Sequence, residues 1–273
     1  MLERLIAAVV ALAIVLPTLI YGGTIGFFIL GLVIVAIGSG ELWKMFSNHN
    51  DFPSALRWVL TLIYVAVFAG LFFWTSAMTP ILISACLLLW ITGLFGVPDN
   101  DLGMKWAAYS TFGLMYLPFL LSTFIQVRAV EGYGLQWLFL TLLLTWSADS
   151  GAYFAGRTFG KTKLFERVSP KKTMEGVAGG VLLAIVVGVF YCGAWLPMVP
   201  MWVAGTMGVL WAVLSVVGDL VESMMKRAFG VKDSGNIMPG HGGVVDRLDS
   251  LLFTFPATWL FIEYGLDIVK VAG

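Results

Sequence analysis

Apolar stretches of about 20 residues recur almost from one end of this chain to the other, and they limit its fold more than any other feature. A helix of that length rises 1.5 Å per residue and crosses roughly 30 Å of hydrocarbon with its backbone polar groups paired internally. Only 12% of the 273 residues are charged, against roughly 25% in a soluble domain. Lipid is therefore the solvent for most of the chain. The expected fold is all-α and polytopic, with about nine spans near 3–22, 24–46, 57–78, 80–97, 106–127, 134–156, 176–198, 201–225 and 248–269. No internal repeat, low-complexity tract or soluble domain is visible, so residues 1–273 read as a single membrane domain.

Charge placement orients the spans. With nine crossings, the segments on the side of the amino terminus hold fourteen of the sixteen Lys and Arg residues, and only Arg128 and Lys270 fall on the other. The positive-inside rule then places the amino terminus and two basic loops, near 157–175 and 226–247, in the cytoplasm, and the carboxyl terminus outside. The stretch from Leu5 to Tyr21 lacks a small-x-small cleavage site, and a second apolar run follows at once, so it reads as an uncleaved first span. Cys86 and Cys192 lie inside apolar stretches and read as small core residues. The formal net charge is zero, which implies no general attraction to polyanions and no nucleic-acid partner.

Ionisable residues at membrane depth cost about 2.5–3.5 kcal/mol on insertion scales, so they are functional suspects. Asp149 lies near the end of the sixth span, Asp219 and Glu222 in the last turns of the eighth, and Asp246 and Asp249 where the ninth begins. Helical spacing puts Ser215, Asp219 and Glu222 on one face, and likewise Asp246 and Asp249. All five carboxylates lie at the helix ends that the basic loops share. Ion pairing with Lys226, Arg227 or Arg247 is the plain structural reading of any one of them. Ser169-Pro170 reads as a helix N-cap followed by proline at the first helical position, which would aim N–H groups, Lys171 and Lys172 at an anion. Gly156 to Thr162 looks like a phosphate-binding Walker loop, but it is one residue short between the glycines and follows no expected strand, so it is rejected. His49 carries no visible role.

The segment from Ser223 to Asp249 carries Lys226, Arg227, Lys232, Asp233, Gly235, Pro239, His241, Gly242, Gly243, Asp246, Arg247 and Asp249 at fixed spacing. It resembles the signature of the phosphatidate cytidylyltransferases, also called CDP-diacylglycerol synthases. Met238, where that family usually carries Leu, Ile or Phe, is a conservative departure. A second block, from Asp149-Ser150-Gly151-Ala152-Tyr153 through Gly156-Arg157 and Gly160-Lys161 to Ser169-Pro170-Lys171-Lys172-Thr173-Met174-Glu175-Gly176, resembles the same family. On this likeness, 141–273 is the catalytic half, and 1–140 matches only as a hydrophobic multi-span region.

The resemblance implies an integral protein of the bacterial inner membrane whose active site faces the cytoplasm. The implied enzyme is an Mg²⁺-dependent nucleotidyltransferase that joins CTP to phosphatidic acid. Asp219 and Asp246 are its implied metal ligands, with room for a second cation. Two phosphorylated substrates repel each other, and acidic ligands for Mg²⁺ together with Lys and Arg answer that repulsion. Lys171, Lys172, Lys226 and Arg247 are expected on the phosphates, with Ser223, Arg227 and Lys232 nearby. Asp149, Glu175, Asp233 and Asp249 are expected to orient them, and His241 to donate to departing pyrophosphate. Gly242 and Gly243 allow close backbone approach and an N–H nest for an anion. Membrane lipid is a partner, and a homodimer stays open. Two rival readings also stay open: a CTP-dependent enzyme acting on another lipid phosphate or a polyprenol, and an ion-coupled transporter. A transporter would place polar groups near the bilayer midplane and show repeat symmetry.

Overall fold

The structure is a computed structural model that describes residues 13, 15–237 and 242–266. It is built from helices, apart from one two-stranded hairpin among the described residues. Six stretches are long and apolar enough to cross a membrane: Gly23–Phe46, Leu56–Phe73, Thr75–Gly96, Asn100–Arg128, Met174–Trp195 and Met201–Ala228. These match six of the nine expected spans. The expected sixth and ninth spans are helical too, but one carries Asp149 and Arg157 and the other begins with only ten α-helical residues. The expected first span falls largely outside the described residues.

The chain divides into two compact units. The first comprises 1–125 and 228–247. Its helices are α1 (Gly23–Phe46), α2 (Leu56–Phe73), α3 (Met78–Gly96) and α4 (Asn100–Leu114), followed by a π-turn at Met115–Phe119 that contains Pro118, and α5 (Leu120–Arg128), which runs past the unit's edge. Phe28 stacks on Phe72 with centroids 4.2 Å apart, and Ser39 Oγ donates to Thr61 Oγ1 at 2.9 Å, closing α1 on α2. The fully buried Trp106 donates from Nε1 to the Leu89 carbonyl at 3.1 Å, and Tyr64 to the Ser110 carbonyl at 2.7 Å. Each large aromatic group thus brings its one polar atom to a partner, as burial in an apolar interior demands. The returning segment docks on the end of α1: Phe229 packs on Phe46 at 5.3 Å, and Asn48 Nδ2 donates to the Phe229 carbonyl at 2.8 Å. That docking brings the signature loop to α1.

The second unit comprises 126–227 and 248–273. It holds α6 (Gly134–Phe159), the hairpin β1 (Lys163–Phe165) and β2 (Ser169–Thr173), α7 (Met174–Trp195), α8 (Met201–Ala228), α9 (Leu251–Leu260) and a closing π-turn at Phe261–Gly265. Glycines let α6 and α7 touch backbone to backbone: a Cβ at Gly180 would sit 2.6 Å from the Ala148 carbonyl oxygen. Small residues at such crossings are the usual means of close helix packing in lipid. Buried threonines link α6 to α9, with Thr141 and Thr258 hydroxyls 2.7 Å apart and Thr145 donating to Thr254 at 3.0 Å. Trp211 Nε1 on α8 donates to Thr258 at 2.8 Å. Cys192 is buried, Cys86 is half-buried, and both are free thiols, in keeping with their reading as small apolar residues.

Candidate active site

Within the second unit, α6, β2, α8 and the turn before α9 bring carboxylates and lysines together. Ser215 Oγ on α8 donates to Asp149 Oδ1 on α6 at 2.9 Å. One turn further along α8, Asp219 receives Lys172 Nζ from the hairpin at 2.8 Å and the Ser223 hydroxyl at 3.2 Å. Asp219 also lies within electrostatic reach of both Asp149 and Asp249. Glu222, fully buried, pairs with Lys226 one turn on. Gly218 makes the cluster possible, because a Cβ there would sit 2.5 Å from the Asp249 carbonyl oxygen and 3.1 Å from Ser250 Cα. The face expected for Ser215, Asp219 and Glu222 therefore forms, and Asp149, Lys172 and Asp249 join it.

The hairpin corrects one expectation. Ser169 and Pro170 do not start a helix; they lie in β2, with Phe165 opposite Ser169 and Lys163 opposite Thr173. The helix begins at Met174, and its cap is Thr173, whose hydroxyl accepts from Gly176 N at 3.1 Å. Serine and threonine both cap through a side-chain hydroxyl, and strand pairing moved the start four residues on. The consequence is directional. Successive strand residues face opposite ways, so Lys172 reaches Asp219 while Lys171 stays exposed. Glu175 accepts from the backbone N–H groups of Lys161 and Thr162 at 3.1 Å, anchoring the hairpin's entry. Those amides belong to a segment that follows α6 rather than a strand, as the rejected Walker-like reading anticipated.

In the first unit the signature loop closes around two buried carboxylates. Asp246, 8% exposed, accepts at Oδ2 from Gly243 N (2.7 Å), Ser234 N (2.9 Å) and Ser234 Oγ (2.8 Å). Gly242 adopts φ +80°, a conformation that glycine enters without steric cost. The Gly243 N–H, expected to face a substrate phosphate, is turned onto this side-chain anion. Asp246 and Asp249 do not share a helical face. Residues 245–247 form a single 3-10 turn, Asp249 accepts from Ser250 N at 2.7 Å, and α9 starts only at Leu251.

The second carboxylate is Glu41, 5% exposed on α1, and it was missed in the sequence. Its Oε1 accepts from Val244 N at 2.9 Å and its Oε2 from Val245 N at 3.0 Å, while Ser234 Oγ, 3.2 Å from Oε2, shares its one proton between Glu41 and Asp246. Gly235 packs against the same side chain, where a Cβ would come within 2.5 Å of Oε1. A signal existed: Glu41 is a carboxylate inside an apolar stretch, the same criterion that singled out Asp149.

Lys232, Asp233 and Arg247 are exposed in the first unit, and Arg227 is exposed at the end of α8. His241 lies outside the described residues. Asp219 belongs to the second unit and Asp246 to the first. Among the described residues no three carboxylate, histidine or cysteine side chains gather closely enough to cage a metal. Mg²⁺ retains several waters and uses substrate phosphates, so one or two carboxylates suffice. The donor chemistry suits it. Asp219, with Asp149 and Asp249 in reach, already draws the cationic Lys172.

A model of the cytidylyltransferase family matches residues 2–265. The chain belongs to that family. A Bacillus subtilis (strain 168) protein named phosphatidate cytidylyltransferase is 34% identical over 267 residues, covering 96% of this chain and 97% of the relative. Proteins of the same name from Synechocystis and Staphylococcus haemolyticus are 34% and 33% identical, covering 98% and 93% of this chain and 98% and 95% of themselves. The resemblance seen in the signature segment thus extends to the multi-span half of this family member.

Proposed function

We propose that this cytidylyltransferase moves the cytidylyl group of CTP onto phosphatidic acid, releasing CDP-diacylglycerol and pyrophosphate. Near-full-length similarity to three phosphatidate cytidylyltransferases carries the reading. The cluster around Asp219 supports it, since it offers both signs of charge that two repelling phosphates require. A phosphate oxygen of phosphatidic acid forms the new bond to the α-phosphorus of CTP, and the bond to the β-phosphate oxygen breaks. A phosphate monoester has a second pKa of about 6 and is a competent nucleophile unaided. The chain therefore needs to position and neutralise, not to supply a covalent intermediate.

Lys172, paired with Asp219 and close enough to act on Asp149, would meet phosphate oxygens. Lys226 and the exposed Arg247 and Lys171 add charge for the triphosphate. Mg²⁺, for which the family signature implies Asp219 and Asp246 as ligands, would supply Lewis-acid stabilisation of the phosphates. The spans and the distribution of basic residues support a protein integral to the inner membrane with this chemistry at the cytoplasmic face, within nine crossings. The test is pyrophosphate release from CTP and phosphatidic acid by the detergent-purified protein, with other lipid phosphates and polyprenol competing. Release only with phosphatidic acid, stimulated by Mg²⁺ and lost in Asp246→Asn, is expected. A Mg²⁺-dependent rate in Asp246→Asn within about twofold of wild type removes that residue from the metal assignment.

A further inference from the structure

A cavity of about 540 Å³ opens beside α1, lined on that helix by Ala36, Ile37, Gly40, Glu41 and Lys44, with Arg57 from the start of α2 and Asn236 and Ile237 from the signature loop. Residues three and four apart share a helical face, so 36/37, 40 and 44 form one stripe along α1. From Ala36 to Lys44 the stripe runs eight residues, about 12 Å at the helical rise.

The two ends of the cavity differ in chemistry. The end deep in the span is apolar, with Ala36 exposed beside Ile37, and Ile237 of the loop is exposed as well. The other end carries Lys44 and Arg57. The Arg57 guanidinium leans over α1, since a Cβ at Gly40 would lie 3.8 Å from its Nη2, and it also stacks over the exposed Trp58 ring at 5.1 Å. Tryptophan and arginine side by side mark the level where hydrocarbon meets water. Among the described residues neither Lys44 nor Arg57 ion-pairs with a carboxylate. The carboxylate that lines the cavity, Glu41, gives both oxygens to Val244 N, Val245 N and Ser234 Oγ. Its hydrogen bonding is directed into the loop, which leaves the two cations to attract an anion from outside.

We propose that this cavity is the docking site of the lipid substrate, with the phosphate monoester headgroup held by Lys44 and Arg57 and one acyl chain lying along Ala36, Ile37 and Ile237. An amphiphile with an anionic head matches a pocket that is cationic at the boundary and apolar at depth, and nucleoside triphosphate has no use for the apolar end. The loop segment Gly235–Ile237 that borders the cavity is continuous with Ser234, which hydrogen-bonds to Asp246. Lipid seated here therefore touches the loop that carries a signature aspartate. This inference rests on the function proposed above.

Lys44→Gln, Arg57→Gln and the double variant test it, in mixed micelles with dioleoyl phosphatidic acid and CTP varied separately. Each single variant is expected to raise the KM for phosphatidic acid about tenfold, as loss of one charge-assisted contact does, with the KM for CTP and the kcat within about twofold of wild type. Ala36→Trp separates a lipid from a free phosphate. It fills the apolar end, so it raises the KM for the dioleoyl substrate while leaving that for a dihexanoyl phosphatidic acid near wild type. A rise in the KM for CTP instead makes this a nucleotide pocket and overturns the proposal. Unchanged constants in all variants reduce Lys44 and Arg57 to boundary cations and overturn it too. No pyrophosphate release by the wild-type protein overturns the proposed function itself, which the variants alone cannot do.

Discussion

Glu41 and Asp246 are two buried carboxylates whose negative charge is met by N–H and O–H donors of one loop. Removing the charge of a buried, multiply hydrogen-bonded carboxylate leaves donors unsatisfied, at about 1–3 kcal/mol for each group left without a partner. Glu41→Gln places an amide NH₂ against a backbone N–H donor, so it is expected to lower kcat by at least about tenfold. Glu41→Asp, which keeps the charge but shortens the reach, should recover part of the loss. Equal falls in thermal midpoint with no kinetic change would make Glu41 purely structural. At Asp219, Lys172 supplies a cationic partner at 2.8 Å. Lys172→Met is expected to raise the KM for CTP about tenfold and to sharpen the dependence on Mg²⁺, measured by titrating Mg²⁺ at fixed CTP. A KM for CTP that stays put removes Lys172 from the phosphate contacts.

The elements are held in two different ways. In the first unit, aromatic side chains such as Trp106 and Tyr64 fill the space between helices and each spends its polar atom on a neighbouring carbonyl. In the second, α6 and α7 approach through glycine, and threonine pairs cross-link α6 to α9. Gly180→Val, with a Cβ 2.6 Å from a backbone oxygen, forces the helices apart. Overpacking of that kind costs about 1–3 kcal/mol, so a clear drop in the thermal midpoint of the detergent-solubilised protein is expected. The start of α7 illustrates a limit of local pattern. Ser169 and Thr173 are both capable caps, and hydrogen bonding across β1 and β2 selects the second. The single 3-10 turn at 245–247 has the same lesson: Asp246 answers to Ser234 and Gly243, which lie within a loop, and not to helical spacing from Asp249.

For the whole molecule, distribution of charge predicts topology. In a cysteine-free background made by replacing Cys86 and Cys192 with alanine, Arg167→Cys should react with a membrane-impermeant maleimide only from the cytoplasmic side, and Gly132→Cys only from the other. Reaction of both from one side would remove a crossing between them and break the nine-span scheme. The six qualifying stretches are compatible with that scheme, since α6 is long enough to cross and fails only on apolar content, through the residues that gather around Asp149.

Read alone, the sequence determined the class of the fold, the approximate limits of eight helices and the chemical types of the candidate residues. The length of an apolar run and the cost of burying charge are set by residues adjacent in sequence, so they are written along the chain. It also singled out Asp149, Asp219, Glu222, Asp246 and Asp249, because a carboxylate in hydrocarbon is conspicuous. Only the tertiary structure decided which donor meets which carboxylate. Glu41 and Val244 are separated by 203 positions and joined by a single hydrogen bond of 2.9 Å. A bond of that kind depends on how one helix end and one loop fold against each other, and no local spacing encodes it.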